Sequence, residues 1–157
     1  MRRITDVRLP HPLLGDTDQR HTLTLDQNLN IQAIQRMDVG DAEAANNWKG
    51  DWISPRGIDL QINGGLGLAF PELTPADLPR LLQLLELLWQ DGVEAIAPTL
   101  VTCGVAPLRQ ALAVLREARS KAGAGCCRLL GAHLEGPFLA EARRGCLLYT
   151  SDAADEF

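Results

Sequence analysis

The sequence predicts an α/β chain: a short β-rich segment, then alternating strands and helices built on a parallel sheet. Three observations carry this. Before residue 54 the apolar residues alternate with period two. After it, strand starts recur at Ile58, Glu94 and Leu129, with apolar helical stripes between them. Each of those strands is closed by Gly or Pro: Gly64-Gly65, Pro98 and Gly136-Pro137. Strand, helix, strand, helix, strand implies parallel pairing with right-handed crossovers.

In the first segment, Ile4–Leu9 reads as a strand. Thr22–Asp26 alternates with Leu23 and Leu25 on one face, Asp26-Gln27-Asn28 signals a turn, and Leu29, Ile31 and Ala33 alternate again, giving a hairpin. Residues 38–50 are polar and read as a loop. Ile58–Asn63 is the first strand of the second segment. Thr74-Pro75-Ala76-Asp77 starts a helix with a hydroxyl cap, proline at the first helical position and an acid in the first turn. Leu78, Leu81, Leu82, Leu85 and Trp89 then form one buried stripe, and Gly92 stops the helix. Glu94–Leu100 is the second strand; Leu108, Ala111, Leu112 and Leu115 mark the second helix; Arg128–Leu134 is the third strand. Each strand–helix unit takes about 35 residues, so eight would need roughly 280, the scale of a (β/α)₈ barrel. The chain holds two and a half units, which leaves two forms open: a compact βαβαβ domain, or a barrel that stops early.

Composition bounds the partners. With 157 residues, 46% hydrophobic and a net charge of −5, the chain reads as a globular protein with no Lys/Arg run longer than a pair. A nucleic-acid or anionic-membrane partner needs a concentrated basic face, so neither is expected. The four cysteines form no C-x-x-C pattern, which points to reduced thiols in a cytoplasmic protein. No signal-peptide core follows Arg2-Arg3, and the Leu81–Leu88 stretch, broken by Gln83 and Glu86, is too short to span a membrane.

Two strand ends carry chemistry. Asp59-Leu60-Gln61-Ile62-Asn63-Gly64-Gly65 places Gln61 and Asn63 on one strand face by period two, with Asp59 behind them. Polar side chains facing a sheet interior cost free energy unless something binds them; alternatively, Asn63-Gly64 merely makes a turn. In His133-Leu134-Glu135-Gly136-Pro137-Phe138, His133 and Glu135 share a face. The Glu135 carboxylate there could bind a metal or move a proton; alternatively it pairs with an arginine, and His133 is a hydrogen-bonded core residue.

Together with Ala97-Pro98-Thr99, these two runs resemble the N-acetylglucosamine-6-phosphate deacetylases of the amidohydrolase superfamily, over roughly residues 52–145 and in the same order and spacing. The resemblance implies a metal-dependent barrel carrying a small β-sandwich, and hydrolysis of the acetamide of a 6-phosphorylated amino sugar to acetate and glucosamine 6-phosphate. It makes Glu135 a ligand of a divalent ion, zinc or iron. Many amidohydrolases carry His-x-His on the first strand, where this chain has Gln61 and Asn63. Neutral amides are poor ligands for a transition metal. The resemblance is therefore to the single-metal branch, with Gln61 and Asn63 bonding substrate or metal-bound water. The small sugar phosphate is the expected partner, with a homo-oligomer open for a full-length chain.

Three departures set further expectations. The histidines are His11, His21 and His133, and none matches a metal ligand of the family; its remaining histidine ligands and aspartate base are expected beyond the chain's end. After Gly145, Cys146 and Leu147 stand where a small residue and a substrate-contacting histidine are usual. The organisation read from this is residues 1–54 β-rich, 55–145 partial barrel, and 146–157 an aberrant, non-native tail, inactive as truncated. Competing readings are a non-catalytic βαβαβ module that binds a sugar phosphate or a partner chain, and an amidohydrolase for another amide.

Overall fold

The computed structural model describes residues 2–10, 18–136 and 142. His11, Pro137, Phe138 and the whole of 146–157 lie outside them, and with them the expectation of an aberrant tail. The chain divides into two compact units, Met1–Pro55 and Arg56–Phe157.

The first unit holds β1 (Arg2–Arg8), β2 (His21–Leu25), β3 (Ile31–Arg36) and β4 (Asn47–Trp52) in one four-stranded sheet, ordered β3-β2-β1-β4. The β2–β3 hairpin forms because Asp26 closes it: its Oδ1 accepts the backbone N–H groups of Asn28 and Asn30 at 2.8 and 2.9 Å. Val7, Leu23 and Leu25 are buried in this unit. A 3₁₀ turn (Val39–Glu43) is clamped onto the sheet by Asp41, whose carboxylate accepts from Thr22 Oγ1 and Arg3 Nη2, each at 2.7 Å.

The loop expected over 38–50 is corrected here. Asn47–Trp52 is a strand, parallel to β1, with Thr5 opposite Asn47 and Arg8 opposite Trp52. Its polar sequence hides this because Gly50 alone is buried in it. Gly50 has φ +82, and a Cβ there would overlap the Arg20 guanidinium at 1.4 Å.

In the second unit, β5 (Gly57–Ile62) leads through a small hairpin, β6 (Gly64–Gly65) and β7 (Leu68–Ala69), to α1 (Leu78–Gln90). Thr74 and Asp77 start that helix: Asp77 Oδ2 accepts from the Thr74 N–H and hydroxyl at 2.9 and 2.7 Å. Gly92, at φ +88, ends it. Next come β8 (Val93–Val101), α2 (Val105–Lys121), β9 (Arg128–Leu129) and β10 (His133–Glu135). β5 pairs in parallel with one edge of β8, and β9 and β10 pair in parallel with it too. Arg56 stacks on the Trp89 ring and bonds its carbonyl, which ties the start of β5 to the end of α1.

The core lies between this sheet and the two helices, with Phe70, Leu81, Leu85, Ile96, Ala111 and Leu129 buried in it. The helical faces are rotated from those read in the sequence. Leu84 is buried in α1 while Leu78, Leu82 and Trp89 only flank the core. In α2 the buried positions are Ala111, Val114, Leu115 and Ala118, and Leu112 stays 37% exposed. Small Ala residues allow close approach to the sheet, so packing chose that face over the leucine face. The third strand, expected unbroken over 128–134, is split at residues 130–132.

Candidate functional site

Besides an irregularity at the start of β5, between Gly57 and Ile58, two breaks in the parallel ladders fall beside Ala97-Pro98. Between Ile96 and Pro98, β8 takes two steps while β5 takes three, from Asp59 to Ile62. Between Ile96 and Thr99, β8 takes three steps while the third strand takes four, from Leu129 to His133. Each flanking strand therefore carries one extra residue, a bulge, where the proline brings no N–H to the ladder. Leu130 N–H still reaches the Ile96 carbonyl at 3.0 Å.

An extra residue reverses side-chain alternation. Asp59 is opposite Ile96, and Leu129 is opposite Ile96 on the other edge; Ile96 and Leu129 face the helical core. Beyond the bulges the phase flips, so Gln61, His133 and Glu135 come to the other face. Simple alternation counted from Asp59 would put Gln61 on the same face as Asp59; the extra residue parts them. Asp59 instead accepts the Gln61 backbone N–H at 2.9 Å, satisfying a donor at the bulge. Its charge also lies close enough to Cys127 to add to the rise that burial produces in that thiol's pKa.

Gln61 and Glu135 meet: Gln61 Nε2 donates to Glu135 Oε2 at 3.2 Å across the intervening β8. His133 Nδ1 hydrogen-bonds the buried Thr99 hydroxyl at 3.1 Å. Asn63 does not close on this pair. It lines an adjoining cleft of about 920 Å³ with Thr99, Thr102, Cys103, Glu72 and Gln110. Asn63-Gly64 is not itself the turn, which falls at Leu66-Gly67, both at positive φ. Gly64 is needed for close approach, since a Cβ would lie 1.9 Å from the Leu68 carbonyl oxygen. Burial pushes the Cys103 thiol pKa up, so it stands in the cleft wall as a neutral thiol.

Thr99 enters the sequence reading only as part of Ala97-Pro98-Thr99, with no role assigned, and Thr102 does not enter it. Alternation along β8 could have placed Thr99 among the inward polar residues; the role of Thr102 depends on the turn after Glu135. That hydroxyl shares its proton between the Glu135 and Gly136 carbonyls, at 3.1 and 2.9 Å.

Among the described residues, no three His, Cys, Asp or Glu side chains come together as a cation site. Glu135 offers one carboxylate where a catalytic zinc-type site takes about three protein ligands. The described residues do not hold a divalent ion unaided. Nor is any described helix long and apolar enough to cross a membrane.

Polar side chains gathered at the carboxyl ends of parallel strands define an α/β protein with its site at the usual edge of such a sheet. No family model matches the chain. In sequence it is similar to a segment of N-acetylglucosamine-6-phosphate deacetylases. It is 38% identical to that of Caenorhabditis elegans over 98 residues, covering 60% of this chain and 23% of the relative. With that of Danio rerio it is 35% identical over 118 residues, covering 74% and 28%. In fold, the deacetylase structure from Thermotoga maritima matches with a TM-score of 0.64 at 17% identity, covering 99% of this chain and 39% of that one. The chain thus spans about a quarter of the length of the curated relatives it matches.

Proposed function

We propose that the second unit is the opening part of a (β/α)₈ barrel wall in a metal-dependent deacetylase acting on a 6-phosphorylated N-acetyl amino sugar, N-acetylglucosamine 6-phosphate by its similarity. The sheet of the first unit would be one layer of an accompanying β-sandwich; Ile31, Ile34, Trp48 and Trp52 are exposed on it. The single observation that carries the reading is the Gln61–Glu135 bond. It joins two strands of a parallel sheet, on one face, at their carboxyl ends.

Glu135 is then one ligand of a divalent ion, zinc or iron, completed by residues outside those described. Such an ion supplies Lewis acidity for amide hydrolysis. The chain's own residues orient. Gln61 holds one Glu135 oxygen by donating to it, and the Gln61 and Asn63 amides hydrogen-bond substrate or water. The cleft beside Asn63 has room for a sugar phosphate, since small-ligand sites run to several hundred Å³. A cytoplasmic place of action fits the free thiols of Cys103, Cys126 and Cys127.

The test is a hybrid in which residues 56–136 replace the matching segment of the Danio rerio relative. Acetate release from N-acetylglucosamine 6-phosphate is expected, with loss of both bound metal and turnover in the Glu135→Gln form. A Glu135→Gln hybrid that keeps its metal and its turnover sinks the assignment.

A further inference from the structure

Glu135 ends a three-residue strand, and Gly136 follows it at φ +85. A side chain at the last rung before a left-handed glycine has little to fix its direction. Its own ladder stops at the pairing of Glu135 with Val101. The residue just past the end of β8 takes over: the Thr102 hydroxyl bonds the carbonyls of both Glu135 and Gly136. Those two bonds clamp the backbone on either side of the Gly136 Cα. They come from just beyond the carboxyl end of the strand that the Gln61–Glu135 bond arches over.

We propose that Thr102 is a positioning residue for Glu135: its hydroxyl sets the backbone at the end of β10 so that the carboxylate stays against Gln61. Its importance for a reaction rests on the reading of Glu135 given above, but the positioning itself does not. Valine has nearly the shape of threonine and lacks the proton, so Thr102→Val removes the clamp while keeping the packing. Serine keeps the proton. With the clamp gone, rotation at Gly136 frees the end of β10 and the carboxylate leaves Gln61. Sites of this kind lose function over displacements of about 1 Å.

The experiment uses the isotope-labelled chain, diluted until monomeric, and reads the nuclear Overhauser contact between the Gln61 side-chain amide protons and the Glu135 γ protons. The contact is expected in the unsubstituted chain and in Thr102→Ser, and lost in Thr102→Val, with the amide signals of Ala95–Leu100 unmoved. A Thr102→Val chain that keeps the contact overturns the proposal, and so does a Thr102→Ser chain that loses it. Should Thr102→Val fail to fold, the unsubstituted chain decides: its Thr102 hydroxyl proton must exchange slowly with water and lie near Gly136. A freely exchanging hydroxyl overturns the clamp. The hybrid enzyme described above separates the two readings. If its Glu135→Gln form keeps the bound metal, Glu135 is not a cation ligand, and the positioning role still stands or falls on the contact alone.

Discussion

Gln61 and Glu135, 74 positions apart in sequence, are joined by a 3.2 Å hydrogen bond that passes over the strand between them. The glycines and carboxylates that build the surrounding unit, and its neighbour, make several outcomes measurable.

Gly64→Ala and Gly67→Ala should destabilise the chain for different reasons. A Cβ at Gly64 meets the Leu68 carbonyl oxygen at 1.9 Å, so the hairpin must open; overpacking of this kind costs about 1–3 kcal/mol. At Gly67 there is open space, and only φ +77 opposes a side chain, at about 1 kcal/mol. Urea denaturation should rank Gly64→Ala as the more damaging; the reverse order would contradict the close approach.

Asp41 should make the first unit acid-sensitive. The Thr22 hydroxyl, with help from the Asp38 N–H and Arg3, holds its carboxyl below the ordinary value of 3.8. A depressed folded pKa gives stability that is fully present above the unfolded value and lost as pH falls through the folded one. Denaturation midpoints taken between about pH 6 and about pH 2 should show the gap between the unsubstituted chain and Asp41→Asn closing below about pH 4. A gap that stays constant to the lowest pH would show that Asp41 is not held ionised by this cluster.

Cys127 should resist alkylation. Burial pushes its thiol up to about 11, so at pH 8 only about one molecule in a thousand is thiolate. Mass spectrometry after iodoacetamide treatment should find Cys127 unmodified in the folded chain and modified in urea. Labelling at equal rates in both states would place Cys127 outside the core.

The chain alone should bind a hydrophobic dye and self-associate as its concentration rises. Ile58 and Leu60 are 55% and 67% exposed on β5, an edge strand of its sheet, and unpaired apolar edges recruit other strands. Replacing both with Thr should lower dye fluorescence and shift sedimentation toward monomer. An unchanged profile would locate the sticky surface elsewhere.

Sequence alone determined the alternation of main strands and helices in the second unit, though not the β6–β7 hairpin or the split of the third strand, because strand periodicity, the Thr74–Asp77 helix start and the Gly92 stop are local signals. It also named Gln61, Asn63 and Glu135. Tertiary structure decided what those residues face. Counted by twos from Leu129, which lies in the core, Glu135 would point into that core; from Asp59, Gln61 would point the same way as Asp59. The extra residues beside Ala97-Pro98 reverse both strands together and bring the two side chains to one face. β4 stayed hidden for a related reason: its partner is β1, some forty residues earlier, and no local alternation announces it. Alternation is a property of one strand, whereas its phase belongs to the ladder, and a proline in the central strand sets that phase for both neighbours only once the sheet has formed.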